Sequence, residues 1–165
     1  MTDERMGDGL WDALARLPRG SGVIFRHYMT RDRQAVFERV RQIARRRGLV
    51  LLLAGSPQEA AAWRADGVHG RSPHRNMPRP LLRTAPAHDA RELAAARGQA
   101  VLISPVFATR SHPGARTLGP LRFAALARRA AMAVIALGGM DARRFSRVAA
   151  LGAYGWAGID ALIRD

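Results

Sequence analysis

The chain has 165 residues, 48% hydrophobic and 24% charged, a balance that describes a folded globular protein and excludes a disordered one. It contains no cysteine and no lysine, which excludes disulfides, thiolate chemistry, Schiff-base lysines and P-loop lysines. All 27 positive residues are therefore arginine, against 13 acidic ones, for a net charge of +14.

One domain is expected over residues 1–165, long enough to bury a substantial core. The first residues are charged and no apolar run approaches the ~18 residues of a membrane span. Neither a signal peptide nor a membrane contact is expected, and the cytoplasm is the expected location. The arginine excess invites a nucleic-acid reading. Yet the arginines are scattered over predicted helices. The one compact cluster, Arg45-Arg46-Arg47, falls at a helix C-terminus, where cations offset the helix dipole. No nucleic-acid motif accompanies them, so nucleic acid is not the expected partner.

In chain order, Leu10, Ala13, Leu14 and Leu17 form an i, i+3, i+4, i+7 stripe with Asp8 as N-cap. A turn cluster at 18–22 leads to a buried strand, Val23-Ile24-Phe25, that ends at Arg26-His27-Tyr28. Thr30 is placed to cap a helix running to Arg47, with Val36, Val40 and Ile43 inward and Gly48 as its stop. Residues 49–53 read as a second buried strand. Ser56-Pro57-Gln58-Glu59 is a capping box with proline at the first helical position. A short strand follows over 65–69.

Residues 70–80 are the least ordered-looking segment, and 81–85 make another strand, ending near Pro86-Ala87-His88. Asp89, with Glu92 at the third position, caps a helix to Arg97. Ala100-Val101-Leu102-Ile103 is the apolar run of a fully buried parallel strand. The loop after it carries Thr109, Arg110, Ser111 and His112 before a helix from Pro120 to Ala130. Such a strand, feeding a loop of hydroxyls, arginine and histidine, is how α/β proteins build ligand sites at strand carboxyl ends. A strand over 133–137, the pair Gly138-Gly139, a helix from the cap Asp141 to Leu151 and a last strand over 154–159 complete the pattern. Alternating strands and helices, seven strands in all, call for a parallel sheet with right-handed crossovers.

Four segments in register carry a resemblance: ADGVH (65–69), PVFAT (105–109), IALGGM (135–140) and GAYGWAGIDAL (152–162). In order and spacing the chain resembles the thiamine-phosphate synthase family, which includes the TenI-type thiazole tautomerases. The resemblance implies an α/β fold, a TIM-type (β/α)8 barrel with its site at the strand carboxyl ends. Met1-Thr2-Asp3 looks like the exit of that barrel's first strand, and no apolar run precedes it. The first strand is thus expected to be largely missing, the natural start lying roughly five to ten residues upstream. The open edge would invite a partner chain, which leaves a homo-oligomer open.

The departures from the family pattern are as telling. Where the synthases hold magnesium diphosphate with an Asn-Asp pair and a further Asp, this chain has Ala54-Gly55 and the HGRSPH run, with no carboxylate at the matching position. No metal and no cofactor are therefore expected. The arginine of the family's Q-L-R-x-K survives as Arg26. The T-x-T-K loop reads Thr109, Ser111 and His112, and the phosphate-side serine of the last strand is Asp160. Gly138 and Gly139 let backbone N–H groups approach an anion at a helix N-terminus. An anion would sit between Gly139, Arg26 and the loop around Thr109. His88 would lie beside it, at the catalytic histidine position of the tautomerase branch, because an imidazole can take and return a proton near neutrality. The expected partner is a small phosphorylated or carboxylated heterocycle, and the expected chemistry is metal-free tautomerisation in place of magnesium-dependent synthesis. A degenerate barrel serving as a binding or regulatory module, or nucleic-acid binding through the arginine-rich surface, stands as the alternative.

Overall fold

The apolar runs become strands, three in one compact unit, Met1–Leu82, and four in a second, Arg83–Ala161. The computed structural model describes residues 1–71, 80–110, 114–159 and 161. In the first unit β1 (Gly22–Phe25), β2 (Val50–Ala54) and β3 (Gly67–His69) pair in parallel and in chain order. Val23, Ile24, Phe25 and Leu51 to Ala54 are all buried, as in strands with helices on either side. Thr2 donates its N–H to the Ile24 carbonyl at 2.8 Å, so the first residues run alongside β1.

Helix α1 (Gly9–Arg16) buries Leu10, Ala13 and Leu14, but Leu17 is only half-buried and closes the helix. Asp8 precedes α1 without a capping bond, because its backbone is already helical (φ −68°) and not in the extended form a cap requires. Helix α2 (Arg33–Arg47) has Asp32 at its N-cap position, two residues beyond the expected Thr30 cap, and buries Phe37, Val40 and Ala44. Val36 and Ile43 are half-buried. The Phe37 ring meets Phe25 edge-on at 5.4 Å, and this large contact turns the helix by one residue from the expected face. Gly48 ends α2 in the left-handed region (φ +64°), as its position predicts. Helix α3 (Pro57–Ala62) begins at Ser56, whose hydroxyl accepts the Glu59 N–H at 3.1 Å.

In the second unit β4 (Leu82–Ala87), β5 (Ala100–Ile103), β6 (Ala133–Leu137) and β7 (Gly155–Ala157) are likewise parallel and in chain order. Helices α4 (Ala90–Ala95), α5 (Gly119–Ala127) and α6 (Ala142–Ala149) lie between them, packed on a core that includes Val101, Ile103, Phe123, Val134, Ala136 and Val148. These helices stop short of the expected Arg97, Ala130 and Leu151. The chain tightens into i→i+3 bonds at each end, for example Ala130 N–H to Ala127 and Leu151 N–H to Val148. The last strand is also shorter than the expected 154–159. Seven parallel strands with intervening helices match the sequence count and a TIM-like α/β fold; an eighth strand is not found among the described residues. No helix among them is long and apolar enough to cross a membrane.

Candidate functional site

In the first unit the strand ends carry a buried polar cluster. His27 stacks on Phe25 with centroids 4.7 Å apart, and its Nδ1 lies 3.0 Å from the Thr2 hydroxyl. Thr2 Oγ1 also accepts the Arg26 N–H at 3.1 Å. His69, at the end of β3, is buried; burial first, and then the Arg26 guanidinium, push its pKa down to about 4. Burial lowers His27 as well. Both rings are thereby favoured neutral. Arg33, from the first turn of α2, reaches across this cluster. Its Nε donates to the His27 carbonyl at 2.8 Å and its Nη2 to the Ala54 carbonyl at 2.7 Å, while Nη1 pairs with Glu59 at 2.5 Å.

In the second unit Gly138 and Gly139 adopt φ +91° and +59°. The loop after β5 lies directly on them: Val106 donates to the Leu137 carbonyl and Phe107 to the Gly138 carbonyl, at 2.9 and 3.0 Å. A Cβ on Gly138 would come within 2.7 Å of Pro105 Cα, and one on Gly139 would overlap the Ala108 carbonyl. Arg144 donates to the Gly139 carbonyl, and Asp141 caps α6 by accepting the Arg144 N–H at 2.7 Å. Thr109, Gly138, Gly139, Met140, Gly158 and Ile159 enclose a hollow of about 40 Å³, room for a water or a small ion and not for a heterocycle.

His88 follows β4 and lines a different hollow. Its side chain is 48% exposed, and its Nδ1 sits 2.7 Å from Glu92 Oε2, which also accepts the His88 backbone N–H at 2.9 Å. Asp89 caps α4 through the Glu92 N–H at 2.8 Å. The groove there is about 500 Å³, and Arg116, Thr117 and Arg122 also line it. It shares no residue with the Gly139 hollow. The structure thus groups Thr109 with Gly138 and Gly139, and sets His88 with a different set of residues. Arg26 belongs to the first unit. Ser111, His112 and Asp160 lie outside the described residues.

A family model described as thiamine monophosphate synthase matches residues 13–162. The chain belongs to the thiamine monophosphate synthase family. No curated protein matches it by sequence. Among solved structures it is similar to a thiamine phosphate pyrophosphorylase from Pyrococcus furiosus, with a TM-score of 0.75 and 22% identity over 97% of this chain and 83% of that one. It is also similar to a thiamine phosphate pyrophosphorylase from Bacteroides thetaiotaomicron, with a TM-score of 0.60 and 15% identity over 94% and 77%. These likenesses carry the fold. Family and fold together point to a function of the thiamine-biosynthesis type.

Within this family the magnesium pair would fall at Ala54-Gly55. The Ala54 carbonyl is instead held by Arg33, and Glu59, the nearby carboxylate, is paired with the same guanidinium. A fixed positive charge at that point opposes a divalent cation, and the Ala54 carbonyl it could use is taken. The residues present do not fit magnesium bound in the family manner. Three residues of these sites, Arg33, Arg116 and Arg122, carry no role in the sequence reading, and a fourth, Glu92, only that of a helix cap. Glu92 had a signal, its i, i+4 spacing from His88, which a capping box explains equally well.

Proposed function

We propose that this thiamine monophosphate synthase family member binds a small phosphorylated or carboxylated heterocycle and moves a proton on it, the tautomerase type of reaction, without a metal. The carrying observation is the His88–Glu92 pair. A carboxylate 2.7 Å from Nδ1 orients the imidazole and selects its tautomer, so that the ring can accept a proton from a bound carbon acid and return it to another atom. The groove beside it has the volume of a small-ligand site, which the Gly139 hollow lacks. Arg33 at the place of the metal pair supports chemistry that routes no step through magnesium.

The test combines thermal shift with isotope exchange. Thiazole phosphate is expected to raise the melting temperature with or without magnesium, and the protein to catalyse solvent deuterium exchange into the thiazole. His88→Ala should lower that exchange about 100-fold or more while leaving ligand affinity within a few-fold, because proton transfer contributes in the transition state. Stabilisation that requires both magnesium and the aminopyrimidine pyrophosphate would assign synthase chemistry instead.

A further inference from the structure

The groove at His88 contains two guanidiniums that no described residue of the fold engages. In the second unit Arg97 donates to the Ala94 and Ala96 carbonyls at 2.8 Å and Arg144 to the Gly139 carbonyl, whereas others, such as Arg128 and Arg129, stand in solvent away from the groove. Arg116, before α5, and Arg122, in its first turns, have no hydrogen-bond or ion-pair partner among the described residues. Both line the groove together with His88. The two carboxylates nearby are engaged elsewhere through one oxygen each. Asp89 holds the Glu92 N–H, and Glu92 holds the backbone and ring of His88. Thr117 adds a hydroxyl, while Leu118 and Leu126 give the floor an apolar character.

We propose that Arg116 and Arg122 hold the acidic group of the ligand in this groove, with its apolar or aromatic body against Leu118 and Leu126 and its reacting atom at His88. Two guanidiniums can grip one phosphate or carboxylate through charge-assisted, geometrically matched hydrogen bonds. The ligand class is a small, largely apolar ring compound bearing one such group. The position of the reacting atom rests on the proton role proposed for His88; the binding of the anion does not.

Phenyl phosphate and inorganic phosphate serve as probes, followed by the ring signals of His88 in NMR, assigned with His88→Gln. Saturable shifts of those signals are expected with phenyl phosphate, and weaker ones with phosphate. The double variant Arg116→Gln/Arg122→Gln should lose about ten- to hundred-fold in affinity, the scale of charge-assisted hydrogen bonds. The charge-matched control Arg128→Gln/Arg129→Gln, on exposed positions past α5, should bind as the unaltered chain does. Unchanged melting temperatures establish that both variants fold. Equal loss in both doubles, no loss in the first, or no saturable shift in the unaltered chain overturns the proposal. In the exchange assay the first double should raise KM and keep kcat. Full exchange by His88→Ala, with anion binding still lost in the arginine variant, would remove the proton role and leave the anion site standing.

Discussion

His69 ends β3 with its imidazole packed away from water, and the cost of charging it there is felt by the whole fold. Its pKa of about 4 lies below the 6.5 of an exposed histidine, so between those values the unfolded chain binds a proton that the folded chain refuses. Stability is fully present above pH 6.5 and falls as the pH drops toward 4, by up to about 3 kcal/mol from this residue. His27, lowered by burial too, acts in the same direction. Denaturant unfolding of the unaltered chain and of His69→Gln from pH 7 to pH 4 is expected to show a shallower decline in the variant. Parallel declines would mean that the histidine is not the source.

At the scale of elements, Arg33 ties α2 to the ends of β1 and β2 and to α3 through the His27 and Ala54 carbonyls and Glu59. Its side chain is 17% exposed and Glu59 is 32% exposed, so water recovers part of what a substitution removes. Arg33→Leu is expected to cost about 2 kcal/mol, and Arg33→Leu/Glu59→Leu less than the sum of the two single changes. Additive losses in denaturant unfolding would show that the pair is not coupled. The same residue shows what was legible in the sequence. Ser56, Asp89 and Asp141 cap α3, α4 and α6 as their spacing predicts, because a cap bond joins residues three apart and needs no tertiary partner. Thr30 does not serve as the cap: α2 begins after Asp32, where Arg33 bonds to the nearby His27 carbonyl and to two distant elements, β2 and α3. Gly138-Gly139 and Thr109 announce a strand-end hollow from their chain positions. Arg116 and Arg122 do not announce theirs, since only folding brings them into one groove with His88.

At the scale of the molecule, the alternation of apolar runs and helical stripes yields the seven strands, parallel within each unit, because each strand–helix repeat is a local pattern. Closure of a barrel is set by pairing between residues far apart in the chain, and the sequence pattern has no comparable signal for it. The charge of +14 is also a whole-molecule property, and its effect is testable. Dispersed arginines should give weak binding to duplex DNA at low salt, with log K falling linearly against log salt and little left at about 0.3 M. Binding that persists at about 0.5 M, or that prefers one sequence, would point to a built nucleic-acid surface.

The close fit of the Gly138-Gly139 turn under the loop after β5 has an evolutionary consequence. At position 139 every L-residue side chain meets the Ala108 carbonyl, and the backbone is left-handed, so drift to any other amino acid is barred by the fold itself. A glycine fixed there across relatives would follow even in a lineage that had never bound an anion. Selection for a ligand is recorded instead at positions the fold leaves free to vary. Arg116 and Arg122 are two of these, and their persistence or loss would mark which descendants still use the groove.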